Sequence, residues 1–238
     1  MYKRILLKLS GEALAEPGSR IIDVKCLEEV AKAIKKLHDE GVQIAVVIGA
    51  GNIWRGKLAN EIGIDHVSAD FMGMLGTVIN AVAMASSLKK FNVESVVYSA
   101  IPSIEGVTLP YKKEDAIKSL EENKVTFLAG GTGKPFFTTD TAASLRALET
   151  NCDAILMAKN GVDGVFDKDP TVYSDARFLK VISYEDMIKM NLQVMDLSAV
   201  ELIKDTDLEI RVFNMGDVDN FSRVVRGEDI GTTCKRSK

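Results

Sequence analysis

The sequence predicts an α/β protein, a three-layer αβα sandwich on a mainly parallel central sheet. Three observations carry that prediction. Short runs rich in Val and Ile alternate with amphipathic segments, the pattern of β-α-β units whose strands are covered on both faces. Each run ends at Gly, Ser, Asn or a similar turn former, as strand ends do. The 238 residues hold no internal repeat, low-complexity tract or Pro/Ser-rich linker. One domain over 1–238 is therefore expected, since α/β units run to roughly 250 residues.

The strands read as Arg4–Leu9, Gln43–Ile48, 95–98, Val125–Ala129, 154–157 and 209–213. After the first, Leu27, Val30, Ala31, Ile34 and Leu37 form one apolar helical stripe, and Gly41 stands where a helix-ending glycine is expected. A helix over 69–90 is expected to turn Leu75, Val78, Ile79 and Val82 inward. Further helices cover 113–123, 141–150, 184–190 and 197–204, and Ser183 with Asp186 approximates a capping box at one start. The segment 103–111, with Gly106 and Pro110, reads as an irregular strand-turn insertion.

Composition narrows the function classes. A chain 46% hydrophobic and 27% charged, with 18 Gly and five Pro, is neither disordered nor collagen-like. Thirty Lys and Arg against 34 Asp and Glu leave a formal charge of −4, which argues against a binder that works by neutralising nucleic-acid phosphates. The longest apolar run, 44–50, falls far short of the roughly 20 residues that cross a bilayer. Lys3, Arg4 and Lys8 interrupt the N-terminus and no small-residue cleavage site follows, so no signal peptide is expected. Cys26, Cys152 and Cys234 are odd in number and lack C-x-x-C spacing, which suggests neither a disulfide framework nor a zinc site. A cytoplasmic protein with no membrane or nucleic-acid partner is expected. Of the two histidines, His38 lies in a charged helical stretch, and His66 follows Asp65 at a helix start, where a capping or surface role is favoured. Catalysis is then expected to rely on positioning and charge rather than on a histidine base.

Ligands of parallel α/β sheets gather at the carboxyl ends of the strands. The first strand ends Leu7-Lys8-Leu9-Ser10-Gly11. A lysine inside an apolar run is costly unless its ammonium reaches water or an anion, and Ser10 and Gly11 offer backbone N–H groups to phosphate. No Walker A loop is present, and a lysine that merely snorkels is the alternative. The second strand leads into Gly49-Ala50-Gly51-Asn52-Ile53-Trp54-Arg55. Small residues permit close backbone approach to an anion, and Arg55 can fork onto a phosphate; a tight turn with a solvent-facing arginine is the alternative. Trp54 reads as packing. The stretch Gly130-Gly131-Thr132-Gly133-Lys134-Pro135-Phe136-Phe137-Thr138-Thr139-Asp140 is a poor composition for a mere connector. Its hydroxyls and backbone suit a polar small molecule, although Asp140 can also serve as a helix cap. After the fifth strand, Asn160, Asp163, Asp167 and Asp169 suit a sugar-phosphate and its Mg²⁺, which takes few protein ligands and several waters. The Asp-Gly and Asp-Pro pairs there also mark turns. Together these junctions suit phosphoryl transfer, which needs alignment and charge neutralisation. Composition and spacing leave the acceptor open.

Seven ordered motifs narrow it: residues 2–14 (YKRILLKLSGEAL), 51–56 (GNIWRG), 69–75 (ADFMGML), 131–140 (GTGKPFFTTD), 162–166 (VDGVF), 194–197 (VMDL) and 211–215 (RVFNM). In these the sequence resembles the amino acid kinase superfamily, and within it the bacterial uridylate kinases, from Tyr2 nearly to the C-terminus. The resemblance implies the amino acid kinase fold and Mg²⁺-dependent transfer of the ATP γ-phosphoryl to UMP, with ATP as co-substrate. It implies that Lys8 bridges donor and acceptor phosphates, with Leu9, Ser10 and Gly11 along the ATP phosphates, and that Gly51 and Arg55 grip the phosphates at the transfer point. Ala50 would lie beside UMP and Asp70 would receive its ribose hydroxyls. Thr132, Gly133, Lys134, Pro135, Phe136, Phe137, Thr138 and Thr139 would enclose uracil and reach the UMP phosphate. Asp140 would orient the charges of Lys8 and Arg55, while Asn160, Phe166 and Asp169 would line the ATP nucleoside. Asp196 would serve the Mg²⁺ or ATP side, with helix capping as its alternative. No dedicated metal ligands are implied: Mg²⁺ would be held mainly by ATP phosphates and water.

Two residues depart from the family pattern: Ala50 replaces the middle Gly of a triple, and Lys134 replaces an Asn near the base. A lysine can donate to a uracil carbonyl but cannot accept from N3–H. A homohexamer with GTP and UTP as effectors is also implied. The alternatives are another kinase of the superfamily with a carboxylate or carbamate acceptor, and a non-catalytic nucleotide- or oxyanion-binding protein on the same fold. Lys8, Arg55 and Asp140 are all present, which argues against the second.

Overall fold

The computed structural model of the chain describes residues 1–16, 18, 21–159, 161–192, 194–217 and 219–237. In chain order the elements are β1 (Arg4–Leu9), a 3-10 turn (Gly11–Leu14), α1 (Val24–Asp39), β2 (Gln43–Ile48), α2 (Lys57–Ile62), α3 (His66–Lys89), β3 (Ser95–Ser99), β4 (Leu109–Pro110), α4 (Lys113–Glu121) and β5 (Val125–Ala129). They continue with α5 (Thr139–Glu149), β6 (Ala154–Lys159), β7 (Val165–Phe166), β8 (Phe178–Leu179), β9 (Val181–Ser183), α6 (Tyr184–Lys189), α7 (Leu197–Ile203), β10 (Glu209–Asn214), α8 (Asp219–Val225) and β11 (Thr232–Lys235).

Nine strands form one sheet in the order β4-β3-β5-β2-β1-β6-β10-β11-β9. Every neighbouring pair is parallel except β10 with β11. From β1 the chain builds outward through β2, then crosses back through α5 to lay β6 on the other flank of β1. The carboxyl end of β1 is therefore a switch point, where such sheets open a crevice.

Alternation along the strands divides the core in two. Ile5, Leu7 and Leu9 of β1, with Ile44, Val46 and Ile48 of β2, pack under α1, α3 and α8. Leu6, Ala45, Val47, Ile155 and Met157 pack under α4, α5, α6 and α7. The same parity puts Lys8 on the face of Leu6 and Lys159 on the face of Ile155 and Met157.

The α/β class and its layers stand as expected, and six strands lie within one or two residues of their expected bounds. The short strands β7, β8, β9 and β11 and the helices α2 and α8 were not expected; two- to four-residue strands are too short for period-two alternation to register. The inward face of α3 needs correction. Met74, Val78, Ala81, Met84, Ala85 and Leu88 are buried, whereas Leu75 and Ile79 are more than half exposed. The helix is apolar on two adjacent stripes, so periodicity alone chose the wrong one for those two residues. Counting unbroken apolar runs also overlooked that α3 is long and apolar enough by composition to cross a bilayer. Here one of its faces is buried against the sheet in the core.

Candidate active site

At the end of β1 the Lys8 ammonium lies 2.7 Å from Asp140 Oδ1, with side chains 19% and 17% exposed. Asp140 is in the first turn of α5, but Thr138 is the cap: its Oγ1 accepts from Thr141 N at 3.3 Å. Asp140 is thus left to pair with Lys8, and its second oxygen accepts from Asp196 N at 3.3 Å. Asp196 occupies the N-cap position of α7, yet its carboxylate makes no capping bond and is exposed.

The two glycine-bearing turns after β1 and β2 touch each other. Gly49 N donates to Leu9 O at 2.9 Å. A Cβ on Gly11 would sit 2.5 Å from Gly49 O and 2.9 Å from Gly51 N, and would collide with Asn52 Oδ1, so only glycine lets the turns meet. From beneath, the fully buried Asn80 donates to Gly49 O at 2.8 Å and exchanges amide hydrogen bonds with Asn52 at 2.8 and 3.1 Å. Asn52 also donates to Ile21 O at 2.8 Å. Ala50 is buried without a positive φ, and Gly76 of α3 leaves room for its methyl, since a Cβ there would lie 2.8 Å from Ala50 Cβ. Replacing the family's glycine by Ala50 therefore brings no backbone strain.

Arg55 rests on Glu12, Nη2 to Oε1 at 2.6 Å, and donates through Nε to Gly51 O at 3.2 Å. Both side chains are mostly exposed, and such a pair is worth about 0–1 kcal/mol, so Glu12 holds Arg55 only weakly. Leu9 is wholly buried and offers only backbone to a ligand. Ser10 Oγ accepts from Glu12 N at 3.3 Å and so caps the 3-10 turn.

The loop from β5 to α5 is pinned at its root. Gly130 N donates to Thr77 Oγ1 at 2.9 Å, and Gly131 O accepts from the buried Arg146 at 3.2 Å. Arg146 pairs with Glu149 at 2.6 Å and lies 3.9 Å over the Tyr111 ring. Gly133 has φ +78°, and a Cβ there would fall 2.6 Å from Ala100 O. The Thr132 hydroxyl bonds both the carbonyl and the N–H of Lys134, at 3.1 and 3.2 Å, leaving the Lys134 side chain exposed. Pro135 is half-buried, and Phe136 and Phe137 are exposed. Phe136 holds φ +69°, unusual for a bulky residue. Its N–H donates to Asp70 Oδ2 at 2.6 Å, the oxygen that also lies 3.1 Å from His66 Nδ1. The His66 ring stacks on Phe136, centroids 5.0 Å apart. Asp70, His66 and Phe136 thus form a clasp over the loop. The capping reading of His66 is corrected: Asp65 caps α3, accepting from Ser68 N at 3.0 Å. Thr139 Oγ1 faces the Gly49 turn.

On the other flank, a cavity of about 470 Å³ opens between Lys159, Phe166, Asp169, Pro170, Met190 and Val194. Phe166 packs edge-on against Phe178, centroids 5.4 Å apart. Asp169 Oδ1 accepts from Thr171 N and Oγ1 at 2.8 and 2.7 Å, and these bonds hold its carboxyl below the usual carboxylate range. Asn160 lies outside the described residues. A roomier cavity, about 730 Å³, lies at the amino ends of β3 and β5 beside Glu94 and Lys124, away from the strand ends where Lys8 and Asp140 meet. Among the described residues no group of three or more His, Cys, Asp or Glu stands together.

Sequence reasoning missed Asn52, Asn80, Arg146 and Lys159, and placed His66 on an ordinary surface. Lys159 carried the same signal as Lys8, a lysine closing an apolar strand. The other contacts join residues far apart in sequence and leave no local trace.

The chain matches the amino acid kinase family over residues 3–214. The UMP kinase of Bacillus anthracis is 41% identical with a TM-score of 0.96, over 100% of this chain and 97% of that one. The UMP kinase of Ureaplasma parvum is 35% identical with a TM-score of 0.93, over 99% and 100% of the two chains. The uridylate kinase of Archaeoglobus fulgidus is 25% identical with a TM-score of 0.76, over 97% and 99%. With the family matched across most of its length and its nearly parallel sheet ending in the Lys8–Asp140 pair, this chain belongs to the amino acid kinase family.

Proposed function

We propose that this protein is a UMP kinase that transfers the γ-phosphoryl group of ATP to UMP, giving UDP and ADP, with one domain carrying both halves of the site. The reading rests on one observation above all, the full-length likeness to UMP kinases at 41% identity. The geometry supports it: Lys8 and Asp140 stand between an acceptor loop folded onto Asp70 and a cavity of about 470 Å³ beside Phe166.

The attacking group is an oxygen of the UMP phosphate. A phosphate monoester has a second pKa near 6, so that oxygen is already largely deprotonated near neutral pH and needs no strong base. The obstacle is repulsion between two polyanions. Lys8 would sit between them, its ammonium aimed by the 2.7 Å bond to Asp140, a preorganised charge that costs no reorganisation during transfer. The N–H groups of the turns at 10–11 and 49–51 would line the phosphates, and Arg55 would leave Glu12 for them. Asp70 would exchange Phe136 N–H for the ribose hydroxyls, with loop 132–139 around the base and Asn160, Phe166 and Asp169 along the ATP nucleoside.

Mg²⁺ would add neutralising charge on the ATP phosphates. The residues fit it: Mg²⁺ is content with one or two carboxylates besides phosphate and water, and Asp196 has an exposed carboxylate without a capping bond. A homohexamer belongs to the same reading, and the exposed apolar residues Leu75 and Ile79 on α3 suit a contact between copies; GTP and UTP as effectors follow from the family resemblance alone. Work in the cytoplasm on free nucleotides is supported by three unpaired cysteines.

The test is product analysis with MgATP. UMP should yield UDP and ADP in equal amounts, while acetylglutamate, aspartate and carbamate yield none. Phosphorylation of any of those three in preference to UMP would assign the chain to another branch of the family.

A further inference from the structure

We propose that Lys159 is a second cation of the phosphate site, gripping the ATP phosphate chain between the nucleoside cavity and Lys8; this rests on the kinase reading above. β1 and β6 are adjacent and parallel, with Lys8 in register with Met157. Two residues beyond Met157, Lys159 emerges on the same face as Lys8, since side chains two apart along a strand share a face. Both lysines therefore close neighbouring strands at the ligand-binding edge, on the side of α5 and α7.

Among the described residues, the Lys159 charge is poorly answered. Its ammonium donates there only to Val194 O, at a long 3.4 Å, with three donors to place. Asp140, the carboxylate between the strands and α7, is already engaged by Lys8 at 2.7 Å and by Asp196 N–H. Burial, then the like charge of Lys8, push the Lys159 pKa below the usual lysine value, with Asp140 only partly opposing them. An anion between the two ammonium groups would relieve both effects. Lys159 also lines the cavity that holds Phe166 and Asp169, so a nucleotide seated there would run its phosphates past Lys159 before reaching Lys8. A triphosphate, polyanionic and extended, is the ligand that needs two cations spaced along one edge.

Titration calorimetry of wild type, K159M and K159R with MgATP, and separately with adenosine, tests this. K159M should bind MgATP about 10–100-fold more weakly, the loss of a charge-assisted hydrogen bond, with adenosine affinity unchanged, and K159R should recover most of the loss. MgATP affinity equal to wild type in K159M, or equal losses for MgATP and adenosine, would overturn the assignment. UMP turnover by wild type is assayed in parallel. Its absence despite MgATP binding would sink the kinase reading and leave the role of Lys159 to be judged on the titration, and a wild type that bound no MgATP would overturn both.

Discussion

Two regions beside Lys8, the turns after β1 and β2 and the loop from β5 to α5, are held in different ways. Beneath the exposed Arg55–Glu12 pair, the polar groups of the β1 and β2 turns are buried or half-buried and answered twice over: Asn80 serves Gly49 O and Asn52 together, Asn52 reaches Ile21 O, and Gly11 lets two turns touch. Over the acceptor loop the contacts beyond its root are exposed and borrowed: Asp70 accepts from Phe136 N–H and touches His66, and Phe136 lies open to solvent. Buried, fully satisfied networks rigidify, whereas elements with exposed bonds and few buried contacts open cheaply. In the proposed kinase the phosphates would thus be met by fixed backbone geometry, and the nucleoside by a loop that trades one set of partners for another.

Lys8→Ala breaks the rigid flank where it meets the chemistry. Turnover should fall by about 10²–10³-fold while thermal unfolding remains a single cooperative transition. Steady-state kinetics with turnover within tenfold of wild type would remove Lys8 from the reaction. Gly11→Ala attacks the same flank through packing. Forcing a methyl against Gly49 O and Gly51 N should destabilise the fold by about 1–3 kcal/mol, read as a lower thermal midpoint. Gly49→Ala, whose added carbon would meet its neighbours at ordinary contact distances of 3.5–3.7 Å, should lower it much less; equal losses would show that the turns do not bear on each other as described. The smallest effect belongs to the mobile partner. His66→Ala removes a stack worth roughly 0.5–1.5 kcal/mol and frees Asp70, so KM for UMP should fall modestly with KM for ATP unchanged. A change confined to ATP would misplace the clasp.

The rigid flank was also the more legible in sequence. Lys8, Ser10, Gly11 and the Gly49–Gly51 turn are legible because a lysine within an apolar strand is costly without an anion and small residues clustered after two strands allow close backbone approach to one. The clasp was not legible, since His66 and Phe136 are 70 positions apart and meet only through the fold. The same holds for Asn52 and Asn80, whose amides pair across a turn and a helix. Leu75 and Ile79 misled because α3 carries two apolar stripes and hydrophobicity cannot tell which one faces the sheet. Lys159 went unused because nothing in the chain's order states that β6 lies beside β1; that adjacency comes from the crossover through α5. The sequence left Asp140 open between a helix cap and a catalytic group; in the fold Thr138 caps α5 and Asp140 meets Lys8 at 2.7 Å.

A rigid phosphate edge joined to an acceptor loop that selects UMP should show itself in kcat/KM for UMP, dUMP, CMP and AMP, measured in wild type and Asp70→Ala. Wild type should favour UMP over each of the others by at least roughly tenfold, since a site built to bond a hydroxyl rejects a substrate that lacks it, and Asp70→Ala should erase the preference over dUMP while leaving KM for ATP alone. CMP turnover within a few-fold of UMP, or a dUMP preference unchanged by Asp70→Ala, would contradict it.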